Sequence, residues 1–279
     1  MNVLITGTDG FIGKNLFNIL KSNKINVFKE TREKLDLHSF ENINSYIVNN
    51  KITHVIHCAI KGGKRLNKDE PSIVYENILM YENLIQACKN INSLINIASG
   101  AEFDRRFNIF NANEHEIYDR IPIDYYGLSK NIIAKRTLEC SNGINLRLFG
   151  CFYHNESNER FFKNNITRAL KKLPLIIHND IYMDFVYIED LAQSIIQKIL
   201  NNEIKDKDIN ICYEKKYKLS ELAEIINSNC NNKEIIIENK SLNFNYTGNA
   251  SKFKKLNLIS NSMNDNIKNC IESIKKEIK

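Results

Sequence analysis

The sequence predicts an α/β protein: a doubly wound parallel sheet followed by a smaller C-terminal α/β lobe. Three observations carry that expectation. Short apolar strands alternate with amphipathic helical stretches through the first half of the chain, the pattern of parallel strands joined by crossover helices. Three of the ten glycines in the 279 residues fall at positions 7, 10 and 13, where a strand turns sharply into a helix. After Gly150 the alternation loosens, which sets the second lobe apart.

The first strand is read at Asn2–Thr6. The turn Thr6-Gly7-Thr8-Asp9-Gly10-Phe11-Ile12-Gly13 follows, and a helix over 11–22 begins inside it, with apolar residues at helical spacing. A glycine-rich strand-to-helix turn leaves backbone N–H groups and the positive end of the helix dipole free to hold a pyrophosphate. The spacing is G-x-x-G-x-x-G rather than G-x-G-x-x-G. Further strands are read at 26–29, 54–58, 94–99 and 144–148, and helices at 39–49, 73–91 and 125–140. This is a Rossmann-type arrangement, in which ligands bind beyond the carboxyl ends of the strands. Gly7, Thr31-Arg32, Cys58–Lys61, Ser99 and Leu148–Gly150 fall at those ends.

Beyond Gly150, residues 151–160 read as a loop and 161–172 as a helix. The stretch Met183–Leu191 reads as a short strand entering a helix, and Ser220 is an expected N-cap. The domains are therefore expected at 1–150 for the dinucleotide, with 184–212 returning to it, and at 151–183 plus 213–279 for the substrate lobe. There are no repeats and no low-complexity linker.

Composition narrows the function classes. A net charge of +6 comes from dispersed basic residues, the densest runs being Lys215-Lys216-Tyr217-Lys218 and Lys252-Phe253-Lys254-Lys255. Dispersed charge suits solubility and a small anionic ligand better than nucleic acid. The apolar runs are too short to span a bilayer, and with a strand read from residue 2 no signal peptide is expected. The seven cysteines include no C-x-x-C pair and several sit in apolar stretches, so reduced thiols, a cytoplasmic location and no metal site are expected.

Five segments together carry a resemblance: Thr6-Gly7-x-x-Gly10-x-x-Gly13, Ser99, Tyr126-Gly127-Leu128-Ser129-Lys130, Asp184–Leu191 and Tyr246–Lys252. On these the chain resembles the extended short-chain dehydrogenase/reductases of the nucleotide-sugar-modifying type, nearly end to end. Tyr126 lies 27 residues after Ser99 and just before a helix, with Lys130 one helical turn further on. A tyrosine, with an ordinary pKa of about 10, is a poor acid–base group near neutrality, and a cation one helical turn away favours its phenolate. The resemblance implies that Tyr126 exchanges a proton with the substrate oxygen. Lys130 would lower the Tyr126 pKa and hold the nicotinamide ribose, and Ser99 would hydrogen-bond the same oxygen.

Cofactor choice is expected at the end of the second strand, where an acid selects NAD and an arginine accepts the 2′-phosphate of NADP. Phe28–Leu37 places Arg32 there and resembles the GDP-L-fucose synthases, which use NADPH. NADP(H) is favoured and NAD(H) remains possible. Asp9 stands where those enzymes keep a second phosphate-binding arginine, and Glu30 and Glu33 are close by. The implied cofactor residues are Gly7, Thr8, Asp9, Gly10, Phe11, Ile12, Gly13, Arg32, Asp36, Leu37, Ala59, Ile60, Lys61, Asn77, Leu148, Tyr126 and Lys130.

Departures trim the chemistry. Fucose synthases epimerise with a cysteine two residues after the serine and a histidine further on. This chain has Ala101 at the first position and aligns near Arg160 at the second, His154 being close by in a loop. Related dehydratases place Asp-Glu after the serine, where this chain has Gly100-Ala101. Plain hydride transfer at a carbonyl survives. Ala101, Arg160 and Arg168 are the expected substrate residues, with Arg105, Arg106 and His115 ranked below them. The expectation is an NADPH-dependent reductase of a nucleotide-diphospho-4-keto-6-deoxy sugar for surface polysaccharide. A 4-epimerase retaining NAD and a non-catalytic dinucleotide sensor are the alternatives. The resemblance implies a homodimer through the helices at 73–91 and 125–140.

Overall fold

The computed structural model describes residues 1–63, 68–199, 205–239, 244–256 and 261–278. In chain order the first half runs β1 (Asn2–Thr6), α1 (Phe11–Ser22), β2 (Asn26–Phe28), α2 (Phe40–Asn49), β3 (His54–His57), α3 (Ser72–Ala87), β4 (Ser93–Ser99), β5 (Ile109–Ala112), α4 (Tyr125–Glu139) and β6 (Gly143–Leu148). The second half opens with β7 (Cys151–Phe152), α5 (Phe161–Leu170), β8 (Leu175–Ile177), β9 (Val186–Tyr187), α6 (Ile188–Ser194) and β10 (Asp208–Ile211). It closes with α7 (Leu219–Cys230), β11 (Ile235–Ile237), β12 (Tyr246–Gly248), α8 (Ser251–Lys255) and α9 (Met263–Ile278).

Six parallel strands form the central sheet in the order β10-β6-β4-β3-β1-β2. Its strands read as near-continuous apolar runs because both faces are covered. Leu16 and Leu20 of α1 meet Leu191 of α6 on one face, and Ile43, Leu84 and Ile133 of α2, α3 and α4 fill the other. Winding changes direction between β1 and β3, whose ends are in register at Thr6 and His57. The carboxyl ends there open the crevice expected to take a ligand. Within 184–212, β10 closes the sheet beside β6, and Val186 of β9 with Ile188 and Leu191 of α6 packs in the core under it. Residues 200–204 of that span, and 240–243, 257–260 and 279 of the lobe span, lie outside the described residues.

The second lobe has its own core, in which Phe152, Phe162 and Ile166 pack against Leu222, Ile226, Ile267 and Ile271. Not all of 213–279 belongs to it. β12 pairs with β5, and Phe253 of α8 joins the core under the central sheet. The segment 246–256 therefore returns to the first domain and brings Tyr246 to the crevice.

Local differences have local causes. The helix predicted to 91 ends at Ala87, because the Asn142 amide donates to the carbonyls of Cys88 (2.8 Å) and Ile91 (3.0 Å). Ser220 is not an N-cap. The Glu221 carboxylate accepts the Lys218 N–H at 2.7 Å and starts α7 earlier, while Ser220 turns to Asp180. Residues 100–124 contain β5 and two short 3-10 turns, at Gly100–Glu102 and Glu114–Tyr118.

Candidate active site

The glycine turn opens a cleft of about 1000 Å³ that runs along the carboxyl ends of the strands. Gly7 has φ +70°, and a methyl there would lie 2.5 Å from the Ala59 nitrogen. A methyl on Gly13 would lie 2.4 Å from the Gly7 carbonyl oxygen. Only glycine lets β1, the β3 end and α1 approach this closely. No side chain caps α1 and its first turn carries no acid, so its N–H groups remain available to an anion. The cradle suits a dinucleotide, whose pyrophosphate the N–H groups of the turn would hold.

Ser99 ends β4 where the chain turns into Gly100–Glu102. Glu102 closes that turn by accepting the Ser99 N–H at 2.7 Å, and the Ser99 hydroxyl accepts the Ala101 N–H at 3.2 Å. This is a capping box, and Ser-x-x-Glu is its sequence signature. Helix α4 starts at the Asp124 cap, which accepts Gly127 N–H at 2.8 Å. It is bolted to the serine turn by Asn131, whose amide donates to the Glu102 carbonyl at 2.8 Å. Tyr126 and Lys130 thus face Ser99 across the cleft floor, and all three line it.

Burial raises the pKa of Tyr126, while the Ser99 hydroxyl and the Arg105 charge pull it back. The phenol is therefore neutral and able to donate. The Arg105 guanidinium is a nearby cation that favours its charged form. Lys130 is 3% exposed and donates to the Ile97 carbonyl at 2.7 Å. Burial lowers its own pKa, against the opposing pull of Glu102.

Below the turn lies a charge network that the sequence reading missed. Arg147 of β6 and Glu102 are both fully buried, with Nε and Oε2 2.6 Å apart, and Asp208 of β10 lies 2.9 Å from Arg147. An arginine inside the apolar strand Gly143–Leu148 was the available signal, since a buried guanidinium needs an acid.

At the far end of the cleft, Arg32 stands exposed on the rim beyond β2, with Asp9 and Glu30 also lining the cleft. Glu30 accepts the Tyr46 hydroxyl at 3.1 Å. Leu37 lines the cleft beside His38, which was not anticipated. Asp36 turns away, because the His38 backbone N–H and ring both donate to it and hold its carboxyl below the usual range.

Ala59, Ile60, Lys61 and Leu148 line the cleft. Asn77 does not. It is fully buried, clamps both backbone groups of Lys61 (2.8 and 3.0 Å) and donates to Ser129 at 3.2 Å, so it shapes the wall from behind.

On the substrate side, Ala101 and Arg160 line the cleft. Arg160 sits 5.1 Å over the Phe11 ring and donates to the Cys151 carbonyl at 2.8 Å, joining the second lobe to the glycine turn. Arg168 lies outside, at the last turn of α5, with its Nε on the Pro174 carbonyl at 2.6 Å. His154 is bound to Glu277 at 2.6 Å, and Arg106 to Asp104; neither lines the cleft. His115 lines a separate hollow, whereas Arg105 faces the cleft and pairs with Asp124 at 2.9 Å. Phe149, Met183, Phe185 and Tyr246 complete an apolar wall that was not expected. Tyr246 stood inside a quoted motif, but its place depends on the β12–β5 pairing, which no local pattern announces.

A six-stranded parallel sheet, a glycine cradle and a serine–tyrosine–lysine cluster at the strand ends define an extended short-chain dehydrogenase/reductase fold. The chain belongs to the NAD dependent epimerase/dehydratase family, whose model matches residues 3–212. It is 26% identical over 255 residues to GDP-L-colitose synthase of Yersinia pseudotuberculosis, covering 81% of each chain. Its fold is similar to that of a GDP-mannoheptose C4 reductase from Campylobacter jejuni with NADP bound, at TM-score 0.83 and 17% identity over 98% of each chain. It is also similar to UDP-glucose 4-epimerase from Thermotoga maritima, at TM-score 0.80 and 18% identity over 100% of each. No helix among the described residues is long and apolar enough to cross a membrane.

Proposed function

We propose that the protein is a cytoplasmic, NADPH-dependent reductase of the 4-keto group of a nucleotide-diphospho-4-keto-6-deoxy sugar, acting in surface-polysaccharide synthesis. The observation that carries this reading is the meeting of Ser99, Tyr126 and Lys130 in one cleft with Ala101, a methyl group, beside them. Deprotonation next to the ketone needs an acid–base pair, and the position that would supply its first member has no functional group. The identity to GDP-L-colitose synthase supports a nucleotide-sugar substrate. Arg32 on the cleft rim supports NADPH, its guanidinium suiting a phosphate as a fork of donors.

The bound dinucleotide would supply the hydride to carbon 4. Tyr126 passes its proton to the oxygen as charge develops there, and Ser99 donates a hydrogen bond to the same atom. Lys130 lies within the wall where the nicotinamide ribose would rest, and Arg160 presents a cation to the substrate diphosphate. The protein works as a homodimer through α3 and α4.

A 4-epimerase using the same three residues is the second reading, favoured by the acids Asp9 and Glu30 on the rim, which suit NAD. Purified protein tested with NADPH against CDP-, dTDP-, GDP- and UDP-linked 4-keto sugars separates the two. Consumption of NADPH, with Tyr126→Phe lowering kcat by roughly 10²- to 10⁴-fold, supports reduction. Stoichiometric NAD on the fresh protein and no NADPH consumption supports epimerisation.

A further inference from the structure

The loop after β3 brings bare backbone up to the Tyr126 ring. Gly62 and Gly63 are both left-handed, at φ +87° and +73°. A methyl on Gly63 would lie 2.8 Å from both Cδ2 and Cε2 of that ring, so only glycine fits between loop and phenol. Gly63 is exposed and Tyr126 half-buried, which puts the glycine on the solvent side of the ring. The loop is gripped from behind. Asn77 clamps both backbone groups of Lys61, and the Lys61 ammonium pairs with Glu76 of the same helix. The last grip is Asp69, just ahead of α3, whose two carboxylate oxygens accept the Gly63 N–H at 3.1 and 3.0 Å.

We propose that Asp69 is a positioning residue, which holds Gly63 on the Tyr126 ring and so fixes where the phenol delivers its proton. The backbone of Tyr126 is set by the Asp124 cap on the first turn of α4. Its ring is not, because turning about the side-chain bonds swings the hydroxyl away from Ser99. Gly63 closes the turn toward solvent. Two adjacent glycines make a soft wall, since each is free to leave its left-handed conformation at little cost. The Asp69 carboxylate supplies the restraint that the glycines lack. Asp69 does not itself line the cleft, whereas Gly62, Gly63 and Tyr126 do, so its effect on the reaction passes through the loop. A shift of about 1 Å in a reacting group is enough to cost up to about 10²-fold in rate.

This rests on the reductase reading with Tyr126 as proton donor, and its test separates the two. NADPH oxidation is measured on the 4-keto sugar that the wild type turns over, for Asp69→Ala, Asp69→Asn, Tyr126→Phe and the Asp69→Ala, Tyr126→Phe double variant. Asp69→Ala should lower kcat roughly 5- to 30-fold, with KM for NADPH within about twofold and an unchanged melting curve. Asp69→Asn keeps an acceptor for the Gly63 N–H and should recover kcat to within about threefold of the wild type. In the Tyr126→Phe background Asp69→Ala should cost nothing further, because the aspartate acts only through the place of the phenol. Gly63→Ala, whose methyl meets the ring directly, should lower kcat at least as far as Asp69→Ala. An Asp69→Ala enzyme with wild-type kcat, an Asp69→Asn enzyme as slow as Asp69→Ala, or an equal loss in both backgrounds overturns the proposal alone. A wild type that oxidises NADPH with no sugar of the panel, or a Tyr126→Phe enzyme at wild-type kcat, overturns the reductase reading and this proposal with it.

Discussion

Replacing Glu102 with alanine would leave Arg147 fully buried with half of its charge partners gone. The pair is 2.6 Å apart and neither side chain is exposed, so water cannot enter to replace the carboxylate. Removing one member of a buried ion pair costs about 3–5 kcal/mol. Asp208 at 2.9 Å and Asn210 at 3.1 Å still hold the guanidinium, which places the ion-pair loss near the lower end, about 3 kcal/mol. The lost bond to the Ser99 N–H adds about 1 kcal/mol. Against a total stability of about 5–15 kcal/mol, this is a large fraction. Urea denaturation followed by circular dichroism measures it. Glu102→Leu combined with Arg147→Met and Asp208→Asn removes all three charges of the network and should cost less than Glu102→Leu with Arg147→Met, which leaves the buried Asp208 carboxylate without its arginine. A loss under about 1 kcal/mol for Glu102→Ala, or a triple variant less stable than that double variant, would refute the reasoning.

Arg32→Ala should raise KM for NADPH roughly 10- to 100-fold and leave KM for NADH within about threefold, since only the former carries the phosphate; equal effects on both would mean that Arg32 is a surface charge. Gly13→Ala should abolish NADPH binding in a fluorescence titration, because its methyl meets the Gly7 carbonyl at 2.4 Å and forces the cradle apart. His57 hydrogen-bonds Thr6 at 2.9 Å, and burial lowers its pKa to about 3. Between about 3 and an unfolded value of about 6.5, the unfolded chain binds the extra proton, so stability falls as pH falls, by about 1.36 kcal/mol per unit. Denaturation at pH 7 and 4.5 should show that loss in the wild type and a flatter response in His57→Gln.

The sheet was legible because parallel strands buried on both faces are apolar runs separated by helical periods, and β1, β3, β4 and β6 each fell within a residue of expectation. The cradle was legible because its glycines are local. Asp36, Asn77 and Arg168 were misplaced for one common reason. Their side chains answer to neighbours at short range, the His38 N–H, the Lys61 backbone and the Pro174 carbonyl, which residue type and position along a strand do not reveal. Tyr246 and the Glu102–Arg147 pair depend on contacts between segments 147 and 45 residues apart from Ser99 and one another, respectively, where local patterns carry little information. Ser-x-x-Glu at residues 99–102 was nevertheless readable as a capping box, and it leads to Arg147.

The central claim is that hydride leaves the dinucleotide for carbon 4 of a sugar and does not return. NADPH deuterated at the transferring position of its nicotinamide, turned over with the accepted 4-keto sugar, measures this directly. Mass and proton spectra of the product should show one deuterium at carbon 4, in step with the NADP formed. An unlabelled product, or a 4-epimer formed with no net change in the dinucleotide, would contradict it.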